Sequence, residues 1–221
     1  MGLDLEFMVN RIPDFIEATI MTLKLSILSI IFSIIIGIVI EAARYFNIKI
    51  IGIISKVYIE FSRNTPLLLQ VFFLYFGLTK LGIKLSGFAC GVIGLSFLGG
   101  AYMAESFRSG VDAVSKTQLE SGQALGLSKT QILRYIVLPI SFSISIPSVA
   151  ANCIFLVKET SVIASIAVGE LMFLTKGIIG MYYKTKESLI LVIIFYLIIL
   201  LPMSIAARKI ERRLRYGEFG N

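Results

Sequence analysis

Long apolar runs, separated by short polar segments, are the main feature of this sequence. An α-helix needs about 20 consecutive apolar residues to cross the hydrocarbon core of a bilayer. Five stretches approach or exceed that length: 19–43, 65–81, 87–107, 136–157 and 188–207. The pattern therefore predicts an all-α, polytopic membrane protein with about five transmembrane helices.

These spans account for nearly half of the chain and no segment between them is longer than about 30 residues, so a single membrane domain covering residues 1–221 is expected. Residues 19–207 form its membrane-embedded core, residues 109–135 a cytoplasmic loop, and residues 208–221 a basic tail. The acidic N-terminal segment and the long first apolar run do not fit a cleavable signal peptide. Little sequence remains for a soluble domain, so any energy source or soluble recognition module is expected on another polypeptide.

The net charge of +7 is distributed unevenly along the chain. Lysine and arginine concentrate in the loop after the first span, around the loop after the third, and in the C-terminal tail. This asymmetry is the one that the positive-inside rule describes, and it predicts an outer N-terminus and a cytoplasmic C-terminus. Four lysines in the last outer loop run against the rule: Lys158, Lys176, Lys184 and Lys186. Because the basic residues follow the predicted topology, a nucleic-acid partner is not expected.

Candidate catalytic and metal-binding residues are scarce. The sequence contains no histidine, and both cysteines, Cys90 and Cys153, fall inside predicted spans, where packing is their expected role. Gly77 and Gly82 have the spacing of a phosphate-binding loop, but Ile83 stands where the lysine would follow. We therefore expect no metal site, no bound cofactor and no ATP hydrolysis by this chain alone.

A helix–corner–helix pattern lies in the predicted cytoplasmic loop. The residues before Gly126 have a helical pattern with Leu119 and Leu125 as apolar anchors, and Gly126 stands where a left-handed residue is needed. Ser128 and Gln131 have the spacing of a capping box that begins a second helix. From spacing alone, two interpretations remain open: a docking element for a partner protein, or an ordinary polar hairpin between two spans.

The same loop resembles the one that marks permease subunits of ABC importers. Glu120, Gly126 and Pro139, the last within an Ile-Val-Leu-Pro segment, match that loop residue by residue. The sequence departs at Ser121 and Gly122, where that family usually carries two alanines. Because glycine in a helix costs about 1 kcal/mol relative to alanine, the first helix is expected to be less rigid here. The resemblance implies that an ATPase contacts this loop at Glu120, Ser121, Gly122, Ala124, Leu125 and Gly126.

A second stretch resembles a narrower group of permeases. Arg63, Thr65 and Pro66, followed by Gln70 and an aromatic run, match the signature of importers for polar amino acids of the histidine, glutamine and arginine type. Without that resemblance, an amphipathic cytoplasmic connector is the slightly favoured interpretation. Thr65 is expected to cap the next span, with Pro66 in its first turn.

Two ion pairs are expected near these stretches. Glu60 and Arg63 are three residues apart, as are Glu105 and Arg108 in the 101–110 segment, which resembles the same permease family. Exposed pairs of this kind are worth under about 1 kcal/mol each. Both pairs are predicted to form within a single helix.

Polar residues of the fourth span leave two depths open. An ionised group near mid-bilayer costs about 2.5 to 3.5 kcal/mol on insertion scales and faces a wet cavity or a partner charge, whereas a group at the outer edge is solvated. The resemblance implies a translocation pathway lined partly from this region. The candidate pathway residues are Gln70, Asn152, Lys158, Glu159, Thr160 and Ser161. Glu170, further along, is expected to be a solvated loop carboxylate.

Three separated motifs in the family's order imply the type I ABC importer permease fold. The implied function is that of the membrane subunit of an ATP-driven importer for polar amino acids in a bacterial cytoplasmic membrane. The implied partners are cytoplasmic ABC ATPase subunits that bind ATP and Mg²⁺, an extracytoplasmic solute-binding protein, and a second permease subunit. The alternatives are a permease for another small solute and an ion-gradient-driven secondary transporter. The latter is expected to contain repeated halves, into which five spans do not divide.

Overall fold

The computed structural model describes residues 2–219, with side chains for residues 2–214. Every regular element in that part of the chain is helical, which confirms the all-α prediction. The α-helices, in chain order, are α1 (Leu5–Tyr45), α2 (Lys49–Arg63), α3 (Leu67–Phe72), α4 (Leu78–Lys80), α5 (Gly87–Asp112), α6 (Lys116–Ala124), α7 (Lys129–Ile132), α8 (Leu138–Glu159), α9 (Leu171–Tyr182) and α10 (Thr185–Phe219). Two π-helical turns, Phe73–Gly77 and Leu133–Val137, join α3 to α4 and α7 to α8, and a 3₁₀ helix, Thr160–Ile166, follows α8.

Four helical segments are long and apolar enough to cross a membrane: Leu5–Tyr45, Gly87–Asp112, Lys129–Ile166 and Thr185–Leu214. They contain four of the five predicted spans. The remaining predicted span, 65–81, is the shorter apolar helix Leu67–Lys80. A second short apolar helix, α9, lies between the last two of these segments. Following the predicted orientation, we call the end at which α1 begins the outer end and the opposite end the inner end.

Helix α5 lies at the centre of the fold because glycines along it admit its neighbours closely. A Cβ atom on Gly91 would lie 2.8 Å from Ile163, and one on Gly99 would lie 2.7 Å from Leu156. These distances are shorter than real Cβ atoms show, so a larger residue at either position would require Ile163 or Leu156 to move. The small residues of the third span therefore serve helix packing.

Two large apolar clusters surround this centre. The first joins α1, α3, α5, α8 and the 3₁₀ helix, and its fully buried members include Leu25, Val71, Leu95, Met103 and Leu156. The second joins the outer half of α1 to α9 and α10 through Phe15, Leu171, Ile178, Leu191 and Val192. A third, smaller cluster of Val114, Ile132 and Val137 lies beneath the corner between α6 and α7.

Helix α2 is polar toward the protein and apolar toward its surroundings. Ser55 and Ser62 are buried against the neighbouring helices. The hydroxyls of Tyr58 and Ser62 both donate to the Phe97 carbonyl oxygen near the middle of α5, at 2.6 and 3.0 Å. Ile53, on the other side of α2, is 69% exposed. This arrangement reverses the polarity of a surface helix in a soluble protein and fits a lipid environment.

Candidate coupling and translocation site

The corner between α6 and α7 forms as the sequence predicts. Helix α6 ends at Ala124, and Gly126 adopts a left-handed conformation with φ of 77°. The Leu127 N–H donates to the Gly122 carbonyl oxygen at 3.1 Å, and the Gly126 N–H donates to the Gln123 carbonyl oxygen at 2.9 Å. These two bonds are those of a Schellman motif, which satisfies carbonyl groups left free at a helix end.

Capping boxes begin both helices of the corner. The Gln131 N–H donates to Ser128 Oγ at 3.3 Å and the Ser128 N–H to Gln131 Oε1 at 2.8 Å, which confirms the predicted box. Ser115 and Gln118 form a second box at the start of α6, with bonds of 3.3 and 3.1 Å. The sequence analysis missed this box, although a serine with glutamine three residues on is the same signature. Local hydrogen bonds therefore define the corner at three points.

Gly122 is buried beneath the corner. A Cβ atom at this position would lie 2.7 Å from Ile136 Cδ1 and 3.3 Å from Ile132 Cγ1. Glycine therefore lets α6 lie close against the π-helical turn Leu133–Val137. Gly122 was expected to make α6 less rigid. The same glycine lets α6 approach Ile136 closely, and an alanine at this position would require Ile136 to move.

The outer face of the corner is open. Five of the six predicted coupling residues are exposed: Glu120, Ser121, Ala124, Leu125 and Gly126. Leu119 is half-buried against the small cluster, as an apolar anchor should be. Leu125 is 80% exposed, so the prediction that it anchors the corner within this chain is wrong. An apolar side chain this exposed gains free energy when a partner covers it.

The Arg63 to Pro66 stretch forms a break between α2 and α3. Pro66 has an extended backbone, with φ of −62° and ψ of 135°, and stands in the N-cap position of α3. The Thr65 hydroxyl donates backward to the Phe61 carbonyl oxygen at 2.8 Å. The prediction that Thr65 caps the next helix is therefore wrong. Because Pro66 is itself extended, α3 begins one residue later and Thr65 remains attached to α2.

Gln70 stabilises the break between α2 and α3. Its Nε2 donates to the carbonyl oxygens of Ser62 and Thr65, at 3.0 and 3.2 Å, and to Thr65 Oγ1 at 2.8 Å. Its Oε1 is buried and has no hydrogen-bond partner in the part of the chain that the structure describes. Gln70 also lines an apolar cavity of about 470 Å³ between α3 and α5. Gln70, a predicted pathway residue, therefore stabilises the backbone between α2 and α3 through hydrogen bonds.

Asn152 lies on a polar seam between α5 and α8. Its Nδ2 donates to Ser106 Oγ at 2.9 Å and to the Tyr102 carbonyl oxygen at 3.3 Å. Ser106 Oγ lies 2.7 Å from Ser148 Oγ. Neither serine was a candidate from the sequence, although Ser148 precedes Asn152 by four residues and so shares its helix face. We call Tyr102, Ser106, Ser148 and Asn152 the polar seam.

Contacts on either side define the position of residues 158–161 along α5. Leu156 packs at Gly99 of α5, and Ile163 packs at Gly91. The segment between them therefore lies beside α5, between its midpoint and its outer end, within the Lys129–Ile166 span. The Lys129–Ile166 segment is 38 residues long and residues 158–161 lie near its outer end, so both of the depths that the sequence left open remain.

The four residues of that segment differ in their surroundings. Thr160 is fully buried and donates to the Val157 carbonyl oxygen at 2.8 Å, which is a structural bond. Lys158 is exposed and Glu159 and Ser161 are half-buried. Neither Lys158 nor Glu159 forms an ion pair within residues 2–214. A charged group inside a bilayer needs an aqueous or polar neighbour, so Lys158 and Glu159 are the pathway candidates of this segment.

Pro139 is the second residue of α8, directly after the π-helical turn Leu133–Val137. Proline supplies no N–H, so the helical hydrogen-bond pattern changes around it. Pro139 also lines an apolar cavity of about 750 Å³ between α1 and α8. The family-signature proline therefore marks the point where the corner joins the long span.

The two predicted ion pairs have different outcomes. Arg108 Nη2 lies 2.9 Å from Glu105 Oε2, which confirms that pair. Arg63 does not pair with Glu60, since its Nη1 lies 3.3 Å from Glu105 Oε2 instead. Glu60 accepts a hydrogen bond from Asn64 at 3.2 Å. The sequence spacing missed the tertiary contact between α2 and α5.

Glu170 is the clearest correction to the sequence analysis. It is fully buried, not solvated, and it caps α9 by accepting the Phe173 N–H at 2.7 Å. Its other carboxylate oxygen accepts the Tyr196 hydroxyl at 3.2 Å. Burial raises the pKa of the Glu170 carboxyl, and these hydrogen bonds oppose that shift. Packing of α10 over the start of α9 removes this residue from water.

An exposed, locally stabilised corner at the inner end of a helical membrane domain is typical of a transport component, and the family is known. The chain belongs to the family described as binding-protein-dependent transport system inner membrane component, whose sequence model matches residues 29–216. This membership confirms the resemblance seen in the three motifs. Proteins of this family are permease subunits that leave ATP hydrolysis to a separate subunit, so the chain is not an enzyme.

Several characterised or named permeases are similar to this chain along most of their length. The glutamine transport system permease protein GlnP of Escherichia coli is 35% identical over 206 residues, covering 92% of this chain and 94% of that protein. The probable glutamine ABC transporter permease protein GlnM of Bacillus subtilis is 33% identical, covering 87% and 89%. The arginine transport system permease protein ArtQ of Bacillus subtilis is 30% identical, covering 99% and 100%.

Solved structures show the same fold. A chain of an amino acid ABC transporter crystallised with histidines matches with a TM-score of 0.90 at 31% identity, covering 96% of this chain and 100% of that one. A chain of the inward-facing MetNI methionine ABC transporter matches with a TM-score of 0.74 at 16% identity, covering 93% and 98%. The second likeness shows the fold alone. The predicted type I importer permease fold is confirmed.

Proposed function

We propose that this chain is the permease subunit of an ATP-driven importer for polar amino acids. The observation that carries the proposal is the exposed corner between α6 and α7, which its own Schellman motif and capping boxes hold in shape. Relatives at 30–35% identity are named as permeases for glutamine and arginine. These names support the substrate class, and another small solute is the alternative.

Three kinds of protein partner complete the proposed transporter. Cytoplasmic ABC ATPase subunits, which bind ATP and Mg²⁺, contact the corner through the charge of Glu120 and the exposed side chain of Leu125. A second permease subunit, identical or homologous, completes the pathway through the bilayer. An extracytoplasmic solute-binding protein delivers the solute. No cofactor binds to this chain, and no nucleic acid takes part.

The proposed location is the bacterial cytoplasmic membrane, with the N-terminus outside and the C-terminus in the cytoplasm. Exposed cations support this orientation, because they lie around the inner ends of the helices: Arg44, Lys116, Lys129 and Arg134. The basic tail predicted at 208–221 continues α10 at the same end, and its residues 220–221 lie outside the described chain.

The polar seam and Glu159 line the proposed pathway. Asn152 and Glu159 are seven residues apart on α8, so they share one face of the helix. An amide and a carboxylate on one face complement the polar groups of an amino acid. When ATP binding draws the ATPase subunits together, the corner moves with them and shifts α8, which follows the corner through α7 and the π-helical turn Leu133–Val137. The free energy of ATP binding thereby biases the opening of the pathway.

Reconstitution tests this proposal. The complex of the permease with its ATPase, placed in liposomes with the solute-binding protein, is expected to accumulate labelled glutamine, arginine or histidine only when ATP and Mg²⁺ are present. The matched control is the same complex with a non-hydrolysable ATP analogue. Failure to accumulate any of these amino acids would refute the substrate class. Accumulation by the permease alone, driven by an ion gradient, would refute the ATP-driven mechanism.

A further inference from the structure

Six charged side chains form a continuous series of ion pairs across three helices. The successive pairs are Arg63–Glu105 at 3.3 Å, Glu105–Arg108 at 2.9 Å, Arg108–Asp112 at 3.2 Å, Asp112–Arg44 at 2.9 Å and Arg44–Glu41 at 2.7 Å. Positive and negative groups alternate, so the three arginines balance the three carboxylates. We call this series the charge ladder. It joins the end of α2 to α5, and α5 to the end of α1.

The first member of the charge ladder lies at the polar seam. The Arg63 guanidinium is 5.4 Å from the centre of the Tyr102 ring. The backbone carbonyl of Tyr102 in turn accepts the Asn152 amide. Arg63 is also the last residue of α2, immediately before the break at Pro66. The position of one guanidinium therefore links the break in the chain to the proposed pathway.

The other members follow α5 to its inner end, just before α6, and cross from there to α1. Asp112 is the last residue of α5, and Ser115, three residues later, caps α6. Arg44, on α1, forms an ion pair with Asp112. Arg44 also donates two hydrogen bonds, of 2.8 and 2.7 Å, to Glu41. Glu41 is only 6% exposed, so the ladder ends on a nearly buried carboxylate. A displacement of α6 reaches Asp112 through only three intervening residues.

Shared partners distinguish the charge ladder from separate surface pairs. Each of the four inner members contacts two oppositely charged groups, so movement of one member changes the contacts of the next. Two of the five pairs cross between helices, from α2 to α5 and from α5 to α1. Four of the six members, Arg63, Arg108, Asp112 and Arg44, are 40–47% exposed, so each pair contributes little stability by itself. The shared partners are what join the six side chains into one series.

We infer that the charge ladder is a positioning relay for transport, which couples the corner to Arg63 at the polar seam. While Asp112 is in place, Arg108 and Glu105 hold Arg63 beside Tyr102. When the ATPase displaces the corner, Asp112 moves, the pairs along α5 rearrange, and Arg63 is released from the seam. This inference rests on the proposed function, because it assigns a route to the coupling already proposed.

A double-substitution experiment in the reconstituted complex tests the relay. Arg63→Gln and Asp112→Asn change residues that do not contact each other, and uptake and ATP hydrolysis are measured in the same liposomes. Each single variant is expected to lower uptake per ATP hydrolysed about fivefold or more, as for a measured allosteric coupling. The double variant is expected to be no worse than the more severe single variant, because either change already breaks the same route.

A matched control is available at the outer end. Arg11 and Asp14 form a pair of the same i,i+3 spacing at 3.0 Å, outside the ladder. Arg11→Gln combined with Asp112→Asn is expected to show the product of the two separate effects. Arg108→Lys keeps the charge of the central member and is expected to retain most of the coupling. Thermal unfolding midpoints check that each variant is folded, and Arg63→Lys replaces Arg63→Gln if the latter does not assemble.

The results separate the relay from the proposed function. If the effects of Arg63→Gln and Asp112→Asn multiply in the double variant, or if neither single variant changes uptake per ATP, the relay is refuted. Both of those results require a wild-type complex that transports amino acids. A wild-type complex without ATP-dependent uptake would refute the proposed function itself, and the relay with it.

Discussion

Two helix corners with a left-handed residue lie at opposite ends of this molecule, and different forces hold them. At the inner corner Gly126 has φ of 77°, and at the outer corner between α9 and α10 Tyr183 has φ of 55°. Glycine adopts this conformation freely, whereas a bulky residue seldom does. Both residues are exposed, Tyr183 by 87%.

The outer corner depends on contacts with a distant part of the chain. Lys184 Nζ lies 2.7 Å from Asp4 Oδ2, and the Asp4 N–H donates to Glu187 Oε1 at 3.1 Å. The Arg11 guanidinium lies 4.4 Å from the centre of the Tyr182 ring. The first turns of α1 thus hold the chain around Tyr183 in place.

The hydrogen bonds that shape the inner corner, by contrast, join residues at most five positions apart. Such a corner keeps its shape when it moves and leaves its outer face free for a partner. The surface of the outer corner is already occupied by its contacts with the first turns of α1, so this corner cannot move independently of α1. The difference supports the proposal that the inner corner transmits motion and that the outer corner is a fixed support.

The largest expected effect is at Gly126. Gly126→Val places a branched side chain in a left-handed backbone, at a cost of about 1–2 kcal/mol, and is expected to lower ATP-coupled uptake about tenfold. The protein should still insert into the membrane, and ATP hydrolysis should continue without transport. Uptake and ATPase rates of reconstituted wild-type and variant complexes measure this uncoupling.

Gly82 provides the matched control for that change. It also has a positive φ, of 87°, with nothing within 4 Å of an added Cβ, but it lies in the outer turn before α5. Gly82→Val imposes similar backbone strain away from the corner and should leave the ratio of uptake to ATP hydrolysis unchanged. Equal loss of coupling in both variants would show that the corner has no special role.

The next effect concerns the buried carboxyl of Glu170. Glu170→Ala removes the cap of α9 and is expected to cost about 0.5–2 kcal/mol, seen as a lower thermal unfolding midpoint in detergent. Glu170→Gln retains an acceptor for the Phe173 N–H and should lose less. An unchanged midpoint in Glu170→Ala would show that packing alone holds the start of α9.

The pH dependence of the same residue gives a third prediction. Burial raises the pKa of Glu170 in the folded protein above its value in the unfolded chain. The favourable contribution of the protonated carboxyl is therefore complete below about pH 4.5 and is lost as the pH rises through the folded-state pKa. The unfolding midpoint of the wild type should fall over that range relative to Glu170→Gln. Parallel curves for the two proteins would contradict the predicted shift.

A smaller effect is expected at Gly122. Gly122→Ala favours the helix by about 1 kcal/mol but forces Ile136 to move, so the single change should be nearly neutral for stability. Gly122→Ala combined with Ile136→Val removes the close contact and should raise the unfolding midpoint. If the single change is already stabilising, the space beneath the corner is larger than the structure shows.

The smallest effect is expected at Tyr183. Asparagine adopts the left-handed conformation more readily than tyrosine, so Tyr183→Asn should stabilise the outer corner by less than about 1 kcal/mol. Uptake should not change, because this corner is a support. A variant with normal stability but reduced uptake would show that the exposed ring contacts a partner.

The sequence predicted those features that depend on neighbouring residues. Gly126 and the Ser128–Gln131 box are local signals, and both gave the correct structure. The predictions for Arg63 and Glu170 were wrong because Glu105 and Tyr196, with which they interact, are distant in sequence and come close only when the helices pack. The bond from the Phe173 N–H to Glu170 is local, but the burial of the carboxylate is not. The polar seam was missed in part for the same reason, since nothing near Ser106 in the sequence identifies Ser148 as its neighbour.

The length of α1 has a consequence for the outer surface. The apolar pattern placed the first span at 19–43, but α1 begins at Leu5 and contains 41 residues. At 1.5 Å per residue such a helix is about 61 Å long, roughly twice the hydrocarbon thickness of a bilayer. Much of its first third therefore stands above the lipid tails. In the described part of the chain, which has no separate soluble domain, the extension of the first span beyond that thickness also supplies the contact between Asp4 and Lys184 at the start of α10.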